Sequence, residues 1–250
     1  MATISISCSA SGNNSQPSAA EQIKAQGYDC DSFTTPAGRN VTIFFIKHAS
    51  LIIDIDGYVA YIDPVTLYGN DFSKLPKANL LMVTHSHHDH LDPKAVDELA
   101  DAGTKLIGGG DVAQQDSRFT AVKPGDGITD TCASFTVTCT PAYNISEGHT
   151  QFHPKERGDV GYLLDIDGLR IYVAGDTEDI PELADLKDID VAFLPVNQPY
   201  TMTPQQAIHA IEMIKPKIVY PYHYSETDLS PIVKRFAENP NIEVRIRQLQ

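Results

Sequence analysis

Short apolar runs, rich in β-branched and aromatic residues, recur along the chain and predict β-strands. Near the start, Val41–Ile46, Ser50–Ile55 and Tyr58–Ile62 predict three consecutive strands, with a tight turn at Asp56-Gly57. Asp167-Gly168 separates two later runs and predicts a second hairpin turn. The later strands are predicted at Asn79–Thr84, Phe135–Thr138, Tyr162–Ile166, Leu169–Val173, Lys217–Tyr220 and Ile242–Ile246.

Three helices are predicted where a capping residue stands directly before a proline. They begin at Asp92-Pro93, Thr203-Pro204 and Ser230-Pro231, because proline is favoured at the first helical position. Gln206 follows Thr203 at the spacing of a capping box. His209 lies off the apolar stripe of the second helix and is predicted to face solvent. Strands that alternate with helices predict a layered α/β fold.

The segment His85-Ser86-His87-His88-Asp89-His90 contains four of the nine histidines of the chain. Imidazole and carboxylate groups are common protein ligands of first-row metals. The segment directly follows the strand predicted at Asn79–Thr84, and a rigid strand end is a good support for a metal site. A purification tag lies at a terminus, whereas this tract is internal and interrupted by acid, so we interpret it as a metal site.

Other residues of metal-binding type also stand near the ends of predicted strands. Asp63, Asp176 and His223 each follow such a strand closely, and His149 and His153 share one loop. Ligand sites in α/β folds collect at strand ends. We therefore expect these side chains to converge with the histidine cluster on one edge of the sheets.

The order His-x-His-x-Asp-His, together with Asp63, Gly175-Asp176-Thr177 and His223, resembles the signature of metallo-β-lactamase-fold hydrolases. Four further segments resemble a subgroup of small bacterial stand-alone hydrolases, distantly similar to ascorbate-phosphate lactonases: Lys47–Ser50, Pro141–Asn144, Phe152–Lys155 and Tyr200–Thr203. The resemblance implies an α/β fold, an αββα sandwich of two mixed sheets flanked by helices. We expect one hydrolase domain over residues 41–250.

The resemblance also implies a site for two divalent ions. The implied ligands are His85, His87 and a third histidine for one ion, Asp89, His90 and His223 for the other, and Asp176 as the bridge. Phe152–Lys155 carries part of the resemblance, which favours His153 over His149 as the third histidine. Two ions roughly 3.5–4 Å apart can hold a shared hydroxide that attacks the substrate. We expect Zn²⁺, and the same ligands also suit Mn²⁺ or Fe²⁺.

Further residues are expected to act beside the ions. Asp63 is expected to order the loop of the histidine cluster, and His149 to lie on the loop or substrate side. His48 either supports a ligand, contacts substrate or is an ordinary buried histidine. Tyr200 either donates to a substrate oxyanion or has a packing role. Asp89 is also a candidate for carrying a proton to the leaving atom.

The formal net charge of −14 argues against a basic surface for nucleic acid. No apolar run approaches the roughly 18 residues that a membrane span needs. The expected activity is metal-dependent hydrolysis of a small ester, lactone, amide or phosphoester, with a small molecule as the partner. The alternatives are a phosphodiesterase for nucleotides or nucleic acid, and a non-catalytic metal-binding protein. The oligomeric state stays open.

Residues 1–40 are predicted to be a flexible segment, because Ser9–Ala20 is rich in Ser, Asn, Gly and Ala. Cys8 lies between small residues and this linker, as in a lipoprotein signal whose basic and apolar parts are missing. Two interpretations follow: a lipid anchor at Cys8 in the cell envelope, or a cytoplasmic enzyme with a disordered N-terminus. Cys132 and Cys139 flank one predicted strand, too far apart for a disulfide, so no disulfide framework is expected.

Overall fold

The computed structural model describes residues 3–6 and 17–249, which form two β-sheets packed face to face. Strands are numbered in chain order. The N-terminal sheet has seven strands: β2 (Asp29–Thr34), β3 (Asn40–Phe45), β4 (Leu51–Ile55), β5 (Tyr58–Ile62), β6 (Leu80–Val83), β7 (Lys105–Gly108) and β8 (Thr120–Ala121). The C-terminal sheet has eight: β1 (Thr3–Ile6), β9 (Gly127–Asp130), β10 (Phe135–Pro141), β11 (Val160–Ile166), β12 (Leu169–Val173), β13 (Val191–Pro195), β14 (Ile218–Tyr222) and β15 (Glu243–Val244).

The two sheets share one plan, because in each an antiparallel half is followed by a parallel half. Strands β2 to β5 pair antiparallel, and β5 to β8 pair parallel. Strands β9 to β12 pair antiparallel, and β12 to β15 pair parallel, while β1 adds to the outside of β9. The carboxyl ends of β5 and β6, and those of β12 to β14, therefore each lie together at one edge of their sheet.

Helices cover the outer faces of the sandwich. The α-helices are α1 (Ala19–Lys24), α2 (Pro93–Leu99), α3 (Val112–Gln115), α4 (Pro204–Ile214) and α5 (Ser230–Phe236). Along β3, Ile43 packs into the core between the sheets, whereas its neighbour Phe44 packs with residues of α1 and α2. Because successive strand residues point to opposite faces, both faces of the central strands are apolar and buried.

The predicted αββα sandwich is confirmed, together with the turns and helix starts read from the sequence. Asp56 and Asp167 adopt φ of 50°, and the glycine after each also has positive φ, as two-residue hairpin turns require. Asp92 caps α2 through its side chain, and Thr203 forms a capping box with Gln206 at the start of α4. His209 is exposed on α4, as predicted, with Nδ1 2.7 Å from Asp179.

The expectation of a flexible segment over residues 1–40 is wrong for residues 3–6, which form β1, and for residues 17–40, because both parts are folded. Ser18 caps α1 in a capping box with Glu21, and Ile23 is fully buried. Strand β2 pairs with β3 along its whole length. These elements carry few apolar residues, so their burial depends on the sheet and helices around them. Cys8 and the lipid-anchor prediction lie outside the described residues.

Two smaller expectations also need correction. The last strand is shorter than the predicted Ile242–Ile246, since β15 pairs with β14 over two residues. Cys132 is disulfide-bonded, which the expectation of no disulfide framework did not foresee, whereas Cys139, its excluded partner, and Cys30 carry free thiols. Among the described residues, no helix has the length and apolar character that crossing a membrane requires.

Candidate metal centre

The candidate site lies where the carboxyl ends of the parallel strands of both sheets meet. Asp63 follows β5, His85 follows β6, Asp176 follows β12 and His223 follows β14. Gly175 allows the two sheets to approach closely here. It has φ of +66°, and a Cβ atom at this position would lie 2.7 Å from the Val160 carbonyl oxygen and 3.2 Å from Thr84 Cβ.

Three histidines form the first cluster of ligand-type atoms, which we call the three-histidine group: His85, His87 and His153. Nε2 of His85 lies 3.0 Å from Nδ1 of His87, and the His153 ring lies 4.9 and 4.8 Å from the rings of these two residues. One ligand atom from each of the three lies within 4.8 Å of the others. His85 and His153 are buried, whereas His87 is partly open. This spacing suits one metal ion.

Asp89, His90 and His223 form the second cluster, the aspartate–histidine group. Oδ2 of Asp89 lies 3.5 Å from Nε2 of His223 and 3.9 Å from Nε2 of His90. His48 adjoins this group, with Nε2 3.1 Å from the same Asp89 oxygen. Ligand-type atoms of these four residues also lie within 4.8 Å of one another.

Asp176 lies between the two groups. Its Oδ2 atom is 3.4 Å from Nε2 of His153 and 3.9 Å from Nε2 of His85 in the first group. The same oxygen is 3.3 Å from Nε2 of His223 and 3.5 Å from Nε2 of His90 in the second group. One carboxylate therefore faces four histidine nitrogens, which is the arrangement that a bridge between two cations needs.

The structure separates the two histidines that compete for the first group. His153 is buried and its Nε2 atom faces Asp176. His149 instead points Nδ1 towards Glu178, 3.3 Å away, and stays partly exposed. The three-histidine group thus contains His153 and lacks His149.

Buried carboxylates orient the candidate ligands from behind. Asp63 accepts hydrogen bonds from the backbone amide and hydroxyl of Thr84, and its Oδ2 atom lies 2.8 Å from Nδ1 of His90. A carboxylate on the far nitrogen fixes the ring and its tautomer, so that the other nitrogen is free to bind a metal. Asp63 thus lies where it orders the strand end and the His90 ring.

Asp159 and Arg157 were missed by sequence reasoning. Oδ2 of Asp159 lies 3.2 Å from Nδ1 of His153, while Arg157 donates to both oxygens of Asp159 at 2.7 and 2.5 Å. Arg157 also lies 2.9 Å from Nε2 of His87. The only local signal was a pair of opposite charges just before the strand predicted at residue 162, which is common in exposed loops.

Glu178 was missed as well, although it follows Asp176 closely in the chain. Its side chain is fully buried and accepts from the backbone amides of Ile145 and Ser146 at 2.7 and 2.6 Å. Together with the contact to His149, these bonds anchor the start of the loop that carries His153. Nothing in the sequence around Glu178 distinguishes this role from that of a surface acid.

His48 is held in an unusual backbone conformation beside the second group. It has φ of 57°, its amide donates to the Leu249 carbonyl at 2.6 Å, and its carbonyl accepts from the His223 amide at 3.2 Å. Its ring centre lies 3.8 Å from that of His223. By contrast, Tyr200 is exposed and packs on Phe152, with ring centres 5.0 Å apart.

The electrostatics of the site suit a cation. Burial lowers the pKa of His85 well below its usual value and that of His87 to about 4, so both rings are neutral and offer lone pairs. Burial opposes ionisation of Asp176, but His223 and His90 hold its pKa well below the usual range. Against the effect of burial, Asp176 and Asp63 raise the pKa of His90, which shows how strongly this point attracts positive charge.

Unpartnered buried atoms give a direct test of whether a metal fits. Nε2 of His90, Nε2 of His223 and Oδ1 of Asp176 are buried without a hydrogen-bond partner. A buried polar atom without a partner costs free energy, and such atoms in a native site call for a bound species. These three atoms are imidazole nitrogens and a carboxylate oxygen, the donor types that suit zinc, manganese or iron. A metal ion therefore fits this position.

Comparisons with known proteins agree with this geometry. A family model described as a Beta-lactamase superfamily domain matches residues 42–223. A UPF0173 metal-dependent hydrolase from Thermococcus kodakarensis is 32% identical over 198 residues, which cover 74% of this chain and 85% of the relative.

Solved structures give the same picture. A Parabacteroides distasonis protein assigned as a metal-dependent hydrolase is 45% identical, with a TM-score of 0.85 over 89% of this chain and 100% of its own. Igni18, a metallo hydrolase from Ignicoccus hospitalis, has a TM-score of 0.65 at 21% identity, over 84% of this chain and 95% of its own. At that identity the likeness concerns the fold.

Proposed function

This chain belongs to the β-lactamase superfamily and is a metal-dependent hydrolase, and from that premise we propose that it hydrolyses a small substrate at a dinuclear metal site. The substrate classes that we propose are esters, lactones, amides and phosphoesters. The observation that carries the proposal is the position of Asp176, whose Oδ2 atom faces histidines of both groups within 3.9 Å.

The proposed ligands of the two ions follow the two groups. His85, His87 and His153 would hold the first ion, Asp89, His90 and His223 the second, and Asp176 both. When bound, the two ions would supply an activated water and polarise the bond to be cleaved. Zinc is our preferred identity, because the donors are imidazole and carboxylate, with Mn²⁺ and Fe²⁺ as alternatives.

Asp89 has two candidate roles, and ligation is the better supported. Burial opposes its ionisation, but the close contacts with His223 and His48 hold the pKa of Asp89 well below its usual range. A carboxylate this reluctant to take a proton makes a good ligand and a weak proton carrier. His48 then acts on the second ion indirectly, by fixing the Asp89 oxygen that it contacts.

A small, non-polymeric substrate fits the charge of the molecule. The net charge of −14 repels nucleic acid, whose binding requires clustered Lys and Arg. The similarity to relatives named metal-dependent hydrolases favours catalysis over a non-catalytic metal-binding role. We therefore propose catalysis, with polymer hydrolysis disfavoured.

Metal analysis paired with a substrate screen tests the proposal. Purified wild type should contain two ions per chain and hydrolyse at least one member of a panel of lactones, esters, phosphodiesters and β-lactams. Asp176→Asn should lose metal and nearly all activity, whereas Asp179→Asn, an acid beside exposed His209, should lose neither. One ion at saturation, with full activity retained by Asp176→Asn, would contradict a dinuclear site.

A further inference from the structure

Large exposed apolar side chains gather around the candidate metal centre. In the described part of the chain, six large hydrophobic residues are exposed, and four of them lie in the connections between strands and helices near the site: Leu67 and Tyr68 in a short 3-10 helix (Leu67–Gly69), and Ile145 and Tyr200. We call these four residues the apolar rim. Single exposed hydrophobic residues need no explanation, but a group around a site indicates a binding surface.

Tyr68 is the member of the apolar rim that reaches furthest towards the metal centre. Its ring centre lies 4.9 Å from that of His48, which contacts Asp89 through Nε2. Burial together with the charges of Asp89 and Asp176 raises its pKa. The Tyr68 hydroxyl is therefore protonated at neutral pH, and the ring that carries it lies beside His48.

The backbone presents Tyr68 in a strained but well-supported conformation. Its φ of 66° and ψ of 14° lie in the left-handed region, which residues other than glycine rarely adopt. Asn70 supports the turn by donating to the carbonyls of Val65 and Leu67 at 2.9 and 3.2 Å. Thr66 is fixed through two bonds to Asp92. Strain that neighbouring contacts maintain is typical of functional positions.

Within the described residues, the loop that carries His153 offers no unpaired cation to an anionic substrate group. The basic residues of the loop that carries His153 are already paired with acids. Arg157 forms a two-point contact with buried Asp159, and Lys155 lies 2.9 Å from Glu182. Phosphate recognition requires cations that are available to the ligand. The apolar rim and these closed ion pairs together favour a neutral substrate.

We propose that Tyr68 binds the substrate directly, and that this substrate is a neutral carboxylic ester or lactone with an apolar group beside its carbonyl. The proposal rests on the hydrolase function proposed above. The Tyr68 ring and Leu67 would pack on the apolar group, while the Tyr68 hydroxyl donates to the carbonyl oxygen. That oxygen gains negative charge as a water oxygen bonds to the carbonyl carbon. The carbon–oxygen bond to the alkoxide then breaks, and the alkoxide takes the proton lost by the water.

Two substitutions of Tyr68 separate its hydroxyl from its ring. Wild type, Tyr68→Phe and Tyr68→Ala would be assayed with γ-lactones carrying short and long alkyl chains, and with bis(p-nitrophenyl) phosphate. We expect Tyr68→Phe to lower kcat about 10-fold or more, as the loss of an oxyanion donor does, with KM nearly unchanged. Tyr68→Ala should also raise KM for the long-chain lactone, because its apolar contact is lost, and should reduce the preference for long chains.

Control measurements distinguish the proposed role of Tyr68 from a folding defect or a loss of metal. Both variants should retain the metal content and Tm of wild type. Tyr28→Phe, which removes a hydroxyl from the helix-covered face of the N-terminal sheet, should match wild type throughout. Calorimetry with the long-chain hydroxy acid product should show weaker binding to Tyr68→Ala than to wild type, which measures the contact without turnover.

The outcomes distinguish this inference from the function on which it rests. A wild type that prefers the phosphodiester remains a hydrolase but overturns the neutral-ester proposal. Unchanged chain-length preference and unchanged product binding in Tyr68→Ala, with metal retained, would overturn the role of Tyr68. A wild type that hydrolyses nothing in the panel contradicts the hydrolase function, and the product-binding comparison would still decide whether Tyr68 contacts an apolar ligand.

Discussion

At the scale of single residues, the site depends on carboxylates that stand behind histidines. Asp63 holds His90, and Asp159 holds His153, each through the ring nitrogen that faces away from the other candidate ligands. These acids are buried, so each side chain has one orientation and each ring one favoured tautomer. We therefore expect the residues behind the proposed ligands to influence metal affinity as well.

The two histidines of one loop provide the sharpest test of the ligand set. His153→Ala should lose at least one ion per chain and nearly all hydrolytic activity, because it removes a donor from the three-histidine group. His149→Ala should leave the metal content near that of wild type, since this ring faces Glu178. Elemental analysis of both variants, purified in parallel, measures the difference. If His149→Ala lost metal and His153→Ala retained it, His149 and not His153 would be the third histidine ligand.

Substitution of Asp159 tests the support behind His153. Asp159→Asn keeps the shape but removes the charge that Arg157 and His153 share, so metal affinity should fall about 10–100-fold. Competition with a chromophoric chelator gives the affinity. Asp165→Asn, a substitution at a partly exposed acid on β11, is the matched control. If Asp159→Asn and Asp165→Asn bound metal with equal affinity, Asp159 would have no role in metal binding.

At the scale of elements, the C-terminal segment after β15 supports the second half of the site. Leu249 accepts the His48 amide hydrogen through its carbonyl, and His48 in turn accepts from the His223 amide. Asp31 on β2 fixes this segment, since Arg245 and Arg247 lie 3.2 and 2.6 Å from its carboxylate. A contact at the edge of the N-terminal sheet is thereby linked to the aspartate–histidine group.

The Asp31 contacts predict an acid-sensitive C-terminal segment. Burial opposes ionisation, but hydrogen bonds with Tyr220 and Arg247 and the nearby arginine charges hold the pKa of Asp31 below its usual value. A depressed pKa in the folded state stabilises the protein above the unfolded value of about 3.9, and this contribution is lost as the pH falls through the folded pKa.

Asp31→Asn measures this contribution. A partly exposed ion pair is worth up to about 1 kcal/mol, which corresponds to a fall in Tm of roughly 2–4 °C for a chain of this size. We expect that fall at pH 7 and a smaller one at acid pH, where wild-type Asp31 takes up a proton. Thermal melts of both proteins across the acid range test it. If the Tm difference between wild type and Asp31→Asn grew towards acid pH, the pKa of Asp31 would not be lowered by folding.

At the scale of the whole molecule, the proposed ions would join the two sheets. His85, His87, Asp89 and His90 follow the N-terminal sheet, whereas His153, Asp176 and His223 belong to the C-terminal sheet. Elsewhere the sheets are held mainly by the apolar core, which has no preferred orientation, with a few hydrogen bonds such as that of the Tyr162 hydroxyl with the Val83 carbonyl. At the metal centre, each ion would take ligands from both sheets and fix their relative position.

Removal of metal should therefore destabilise one edge of the sandwich. An ion bound at about 1,000 times its Kd stabilises the folded state by about 4 kcal/mol, which corresponds to roughly 10 °C in Tm. Chelator-treated protein should melt lower by about this amount for each ion lost. Hydrogen exchange should rise in residues 85–90 and after β12 and β14, but not in the turn at Asp167-Gly168 on the far edge. Uniform acceleration across both edges would argue against a local role for the ions.

Local sequence pattern was sufficient for nine of the fifteen described strands, for three helix starts and for the centre of the candidate site. The largely apolar runs of β3 to β6, the Asp-Gly turns and the caps of α2 and α4 depend on neighbours a few residues apart. The donors from His85 to His90 are likewise adjacent in the chain, and strand ends such as those before Asp176 and His223 are visible as the end of an apolar run. Such short-range features can be read without knowing the fold.

Only the tertiary structure decided which distant residues meet. His149 and His153 share a loop and a residue type, and the packing of that loop against Glu178 and Asp159 separates them. Tyr68 has no motif, and its place beside His48 depends on a left-handed turn fixed by Asn70 and Thr66. Burial of a carboxylate or orientation of a ring is set by neighbours far away in the chain, and for that physical reason no local pattern contains it.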